Sequence, residues 1–219
     1  MRDNYNPKIF YSLIYYFARA FMCSYGQLEV AGTENIPLTG GCLFAANHQS
    51  FMDPPLIGSC ISKEMYFLAR GSLSDNPILK VILPHCNVIP VSKSGNDVAA
   101  FKKMFKVLKS NGSILLFPEG TRSKDGNLLP AKGGAGLIAC KTRVPVVPVR
   151  VFGAHDIMPK GSYLLNRGPL QVVFEKPIFA EEYDPAANKS LEPKERFLYA
   201  SRYIMDKIAG IQCPTISKF

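Results

Sequence analysis

The chain has 219 residues, 47% of them apolar and 20% charged, which suits one globular domain with a substantial core and excludes a disordered chain. A formal charge of +9 favours anionic partners: nucleic acid, an anionic bilayer, a phosphorylated substrate or an acidic protein. Six dispersed cysteines (Cys23, Cys42, Cys60, Cys86, Cys140, Cys213) form no C-x-x-C pair and have no histidine at zinc spacing. They exclude a zinc module and a disulfide framework, and read as reduced thiols of a cytosolic chain.

The first element runs from Ile9 to Met22 (IFYSLIYYFARAFM) and is apolar on nearly every face. A spanning helix needs about 20 apolar residues, and Lys8, Ser12 and Arg19 cut this run to roughly half of that. Tyr5, Tyr11, Tyr15 and Tyr16, with Lys8 and Arg19, suit a helix in the headgroup region, rings at the interface and cations toward anionic lipid. Burial against the core would satisfy the same residues. No small-residue cleavage site of a secretory signal follows, so no leader removal is expected.

Beyond this helix the pattern alternates short apolar strands with helices and shows no internal repeat. Strands are predicted at Leu28 to Ala31, Leu43 to Ala46, Tyr66 to Ala69, Asn87 to Val91, Ser113 to Phe117, Val146 to Phe152 and Leu170 to Phe174. The clearest helix is Asp97 to Ser110, with Val98, Phe101, Met104, Phe105 and Leu108 as its apolar stripe and Asn111-Gly112 as its stop. Its opposite face carries Lys102, Lys103, Lys106 and Lys109, either a solvated surface or a surface for headgroups or an acidic partner. Further helices are expected at Leu137 to Thr142 and Lys194 to Ala209. The fold class is α/β: a single domain with a mixed, largely parallel sheet flanked by helices, preceded by an amino-terminal membrane-interface helix.

Two blocks carry the chemistry. In Asn47-His48-Gln49-Ser50-Phe51-Met52-Asp53, the strand ending at Ala46 delivers His48 to its carboxyl end, where open α/β sheets bind ligands. Pro54 suits the first position of a helix and Asp53 its N-cap. One oxygen of Asp53 would cap the helix and the other accept Nδ1–H of His48, leaving Nε2 to take a proton from a substrate hydroxyl. Ser50 sits too near its would-be base for a nucleophile, and no G-x-S-x-G elbow is present.

In Phe117-Pro118-Glu119-Gly120-Thr121-Arg122-Ser123, a strand runs into a turn rich in donors. Arg122 offers a bidentate grip on phosphate, with the Gly120 and Thr121 amides completing an anion nest. Glu119 would orient Arg122, bind a substrate hydroxyl, or stabilise the turn through a salt bridge. Arg70 and Lys93 each follow the carboxyl end of a strand and are further candidates for the clamp. The glycines of Lys132-Gly133-Gly134-Ala135-Gly136 do not follow a strand and lack the P-loop pattern, so close helix packing explains them better than nucleotide binding.

Four ordered segments now share one resemblance. Asn47, His48 and Asp53 match NH-x-x-x-x-D; residues 88–95 (VIPVSKSG) resemble a second block; residues 117–123 match FPEGTRS throughout; residues 144–149 (VPVVPV) resemble a fourth. Over roughly residues 28–180 the chain resembles the glycerolipid acyltransferase family, and within it the bacterial 1-acyl-glycerol-3-phosphate acyltransferases. One departure is Lys93, where the family usually has arginine, so the charge is kept and the bidentate geometry lost.

The resemblance implies that His48, held by Asp53, deprotonates the sn-2 hydroxyl of 1-acyl-glycerol-3-phosphate for attack on an acyl thioester, giving phosphatidic acid in phospholipid biosynthesis. Arg122, Gly120 and Lys93 would hold the phosphate. Acyl-CoA or an acylated acyl carrier protein would be co-substrate, with no metal and no further cofactor expected. Residues 1–26 would be the membrane-associating segment and 27–219 the acyltransferase domain, placed on the cytoplasmic face of a membrane as a monotopic or peripheral protein. The competing readings are another lysolipid or glycerol-3-phosphate as acceptor, or a noncatalytic module binding anionic lipid, which would not need both His48 and Asp53. Nucleic acid is disfavoured because the cations are not interleaved with stacking aromatics.

Overall fold

The computed structural model describes residues 9–71, 73, 76–91, 97–162, 165–185 and 190–213. Seven strands form one sheet: β1 (Leu28–Ala31), β2 (Leu43–Ala46), β3 (Met65–Arg70), β4 (Val88–Val91), β5 (Ser113–Leu116), β6 (Val146–Phe152) and β7 (Leu170–Phe174). Their order is β1-β7-β6-β2-β5-β3-β4, and all neighbouring pairs are parallel except β6 and β7. The predicted mixed, largely parallel sheet is therefore the one observed, with β2 at its centre and the strands ending within a residue of their expected bounds.

The helices are α1 (Ile9–Gly26), α2 (Asp53–Gly58), α3 (Pro77–Ile82), α4 (Val98–Lys109), α5 (Gly134–Thr142), α6 (Ala154–Ile157), α7 (Ala180–Tyr183) and α8 (Pro193–Gly210). Strand alternation divides the core into two layers. Leu43, Ala45, Ile114 and Leu116 face the layer of α4, α5 and α8, with Met104, Ile138 and Ile204. Phe44, Ala46 and Leu115 face the opposite layer, with Met22 of α1 and Leu56 and Ile57 of α2. Because β2 and β5 are buried on both faces, they read as continuous apolar runs rather than as alternating patterns.

Helix α4 starts where Asp97 accepts the Ala100 N–H (3.0 Å) and stops before Asn111, whose φ is +60°. Ala100, Met104 and Leu108 are buried, with Phe101 and Phe105 packed beside them. Val98, assigned to the stripe by spacing, is the first residue of α4 and is 65% exposed.

The amino-terminal helix packs one side against the core and leaves another exposed. Met22 is buried against α2 and the sheet, while Tyr16 and Phe17 are exposed on the other side. Arg19, expected to face lipid, instead turns into the protein and donates to the Ser59 carbonyl (3.0 Å) at the end of α2, where helix carbonyls lack partners. Lys8 and Tyr5 lie outside the described residues. Among the described residues no helix is long and apolar enough to cross a membrane.

One glycine of the 132–136 group has a packing reason. A Cβ at Gly136 would lie 1.9 Å from the Phe197 carbonyl oxygen and 2.8 Å from the Ser201 nitrogen, both on α8. The Gly136 N–H also donates to Ser201 Oγ (2.7 Å), so α5 and α8 touch backbone to backbone. Gly136→Ala must push the helices apart and is expected to cost at least ~3 kcal/mol, the upper range for overpacking. Gly134→Ala, with open space at its Cβ, should leave the urea midpoint nearly unchanged; equal midpoints for the two variants would refute this account.

Candidate active site

The site is built at the carboxyl ends of the two central strands, β2 and β5. Asn47 leaves β2 fully buried, its Nδ2 donating to Val151 O (3.0 Å) while its Oδ1 accepts Val151 N–H (2.8 Å). This two-bond pair joins the end of β2 to β6 and fixes the direction in which the next residue departs. Its structural part is not apparent from the sequence, where the motif supplies Asn47 without a partner.

His48 is held on every side but one. Its Nδ1 lies 2.7 Å from Asp53 Oδ2, and its ring stacks on Phe117 at a centroid distance of 3.9 Å and an angle of 14°. Its backbone N–H donates to Glu119 Oε1 (3.0 Å) and its carbonyl accepts Ser123 N–H (2.7 Å). Nε2 has no partner among the described residues, and 18% of the side chain is exposed. A donating Nδ1–H places the neutral tautomer's lone pair on Nε2, the arrangement a general base requires.

The geometry at Asp53 differs from the expected cap. Asp53 is the first residue of α2 rather than its N-cap, and Oδ2 accepts the Gln49 and Ser50 N–H groups (2.7 and 2.8 Å) as well as Nδ1 of His48. The five-residue spacing curls the chain around this one oxygen. Oδ1 is buried without a partner among the described residues. Ser50 is also fully buried and donates its hydroxyl to Met158 O (2.8 Å), away from His48.

Glu119 neither pairs with Arg122 nor points outward. It is 1% exposed, with Oε1 on the His48 N–H and Oε2 on the Leu129 N–H (3.2 Å). Burial pushes its carboxyl up to about 7, against the opposing pull of the two backbone donors. It therefore ties the first block to the second and to the loop beyond. A polar residue in a turn reads as exposed in sequence, and only the tertiary structure reveals the amides that take it inside.

Gly120 adopts φ +66°, a left-handed turn that glycine enters without strain, and its N–H donates to Phe117 O (2.9 Å). That amide, expected in the anion nest, is thereby committed to the turn. Arg122 is half-buried, its guanidinium 5.9 Å from the Phe51 ring centroid and without a carboxylate partner among the described residues. Thr121 Oγ1 accepts from Lys160 Nζ (3.4 Å), which also donates to Arg122 O (2.8 Å). Lys132, on the segment entering α5, donates its N–H to Pro118 O (2.8 Å) and lays its side chain beside Gly120. Neither lysine was singled out as a site residue in the sequence: Lys132 lies within the glycine group, and Lys160 carries no motif signal.

Arg70 ends β3, where its backbone pairs with Val91, and Lys93 lies outside the described residues. The structure thus brings together His48, Asp53, Glu119, Gly120, Thr121 and Arg122 in one knot of hydrogen bonds and stacking.

Comparison with known proteins places the chain in a family. The chain is similar to the chloroplastic 1-acyl-sn-glycerol-3-phosphate acyltransferase BAT2 of Brassica napus, 33% identical over 83% of this chain and 54% of that one. It is 23% identical to the 1-acyl-sn-glycerol-3-phosphate acyltransferase of Bacillus subtilis, over 85% and 89% of the two chains. The chain spans just over half the length of the plant relatives it matches. The crystal structure of the 1-acyl-sn-glycerophosphate acyltransferase PlsC from Thermotoga maritima superposes with a TM-score of 0.71 at 29% identity, over 93% of this chain and 81% of that one. The model of the family described as Acyltransferase matches residues 27–152, which include both blocks, and the protein accordingly belongs to the acyltransferase family.

Proposed function

We propose that the protein transfers an acyl group from acyl-CoA or an acylated carrier protein to the sn-2 hydroxyl of 1-acyl-glycerol-3-phosphate, yielding phosphatidic acid. The observation that carries this reading is the 2.7 Å contact between His48 Nδ1 and Asp53 Oδ2, with neither Nε2 nor the Arg122 guanidinium paired to a carboxylate among the described residues. The names of the relatives at 23–33% identity supply the substrate class.

In this mechanism Nε2 of His48 takes the hydroxyl proton as the oxygen attacks the thioester carbonyl. Asp53 holds the ring in the tautomer that leaves Nε2 basic and stabilises the imidazolium that forms. The proton then passes to the departing thiolate, releasing thiol and the ester. A thioester is already activated, so the protein needs to supply one base and the alignment of two substrates. Arg122 holds the acceptor's phosphate with charge-assisted hydrogen bonds, and Arg70 and Lys93 are proposed as further cations. The exposed Tyr16 and Phe17 of α1 support seating the protein on the cytoplasmic face of a membrane, where a lysophospholipid keeps its acyl chain.

Thiol release from an acyl thioester in detergent, with and without 1-acyl-glycerol-3-phosphate, tests the reaction. His48→Ala should lower acceptor-dependent release by about 10²–10⁴-fold; release that ignores the acceptor would indicate a hydrolase and refute the transfer. Arg122→Ala should raise KM for the acceptor by roughly 10–100-fold, the loss of a hydrogen bond to a charged group, while KM for the thioester stays put.

Glu119 adds a pH dependence of stability. Its folded value of about 7 exceeds its ordinary 4.5, so the native state holds the proton more tightly and loses stability as pH rises from 4.5 through about 7. Glu119→Gln removes that titration and should flatten the decline in melting temperature between pH 5 and 7.5. An unchanged slope in the variant would assign the decline to another group.

A further inference from the structure

A phosphate monoester carries close to two negative charges near neutral pH, and one of the two backbone donors expected to help Arg122, the Gly120 amide, is occupied by Phe117 O. The same turn instead has two lysines at its border. Lys132 is anchored through its own N–H to Pro118 O (2.8 Å), and its stem crosses Gly120 closely: a Cβ there would lie 3.1 Å from Lys132 Cδ and 3.6 Å from Nζ. The missing side chain at Gly120 therefore makes room for this lysine as well as for the left-handed turn. Lys160 approaches from the segment after α6 and grips Arg122 O (2.8 Å) and Thr121 Oγ1 (3.4 Å).

Among the described residues neither ammonium pairs with a carboxylate, and neither does the Arg122 guanidinium. The one carboxylate within the turn, Glu119, is directed inward onto the His48 and Leu129 amides and is held toward its neutral form. Three cations around a short turn, none paired with a carboxylate among the described residues, repel one another, and a bound dianion relieves that repulsion.

We propose that Lys132 is a direct contact for a phosphate monoester, shared with Arg122, and that Lys160 is a positioning residue that fixes Arg122 through its main chain. The assignment of that phosphate to the acylation acceptor rests on the function proposed above. The same chemistry occurs on the 3′-phosphate of a coenzyme A donor, so the two sources are separated by experiment.

The test uses the full chain in detergent with Lys132→Met, Lys132→Arg, Lys160→Met and their combinations with Arg122→Ala. Binding of glycerol 3-phosphate and of free coenzyme A is measured by equilibrium dialysis, alongside kcat and both KM values. Lys132→Met should weaken glycerol 3-phosphate binding and raise the acceptor KM by about tenfold, with kcat within about twofold and the melting temperature unchanged, and Lys132→Arg should recover most of the loss. Lys160→Met should raise the acceptor KM in the parent and have little further effect once Arg122 is alanine, because it acts through that residue. Acceptor KM and glycerol 3-phosphate affinity both within twofold in Lys132→Met would overturn the proposal, as would a change confined to coenzyme A. Weakened glycerol 3-phosphate binding in a protein that shows no acyl transfer would uphold the clamp while removing the proposed reaction.

Discussion

The active site depends on how two carboxylates are taken out of water. Burying a carboxylate is costly unless hydrogen bonds replace its hydration, and each is supplied with backbone N–H groups from a different segment. Asp53 Oδ2 receives two amides of the preceding turn and the His48 ring; Glu119 receives the amides of His48 and Leu129. His48 is common to both, so its backbone and its imidazole are fixed by separate carboxyl groups. Loosening either one would shift the ring.

The sheet makes this arrangement possible. Parallel pairing of β2 with β5 brings the residues after Ala46 and after Leu116 to the same edge, although they are far apart in the chain. Phe117 then stacks on His48, and Ser123 N–H reaches back to the His48 carbonyl. The Asn47–Val151 pair secures the third strand, β6, against the same corner. Three strands and two loops thus define one ring orientation, as expected for a preorganised base.

The electrostatic balance of the site follows from the same geometry. With Glu119 turned inward and raised toward neutrality, and Asp53 buried with three donors on Oδ2, the surface of the 120–122 turn is left to Arg122, Lys132 and Lys160. Part of the positive charge visible in the composition thus lies at the turn after β5. On α4, Lys102, Lys103, Lys106 and Lys109 are exposed.

Much of the fold was legible because its signals are local. Short apolar runs, most of them bounded by glycine or proline, marked the seven strands, Asp97 and Asn111 marked the limits of α4, and the strand-end positions of residues 47–53 and 117–123 marked the candidate site. What sequence alone left open are the details of two turns, namely which oxygen of Asp53 binds what and that the Gly120 amide is committed to Phe117, and contacts between segments: that Glu119 faces inward, that Arg19 reaches the end of α2, and that Lys132 and Lys160 border Arg122. Periodicity and spacing report the direction of a side chain relative to its own strand or helix. Its hydrogen-bond partner is decided by the register of parallel strands distant in sequence, and that register exists only once the sheet has formed.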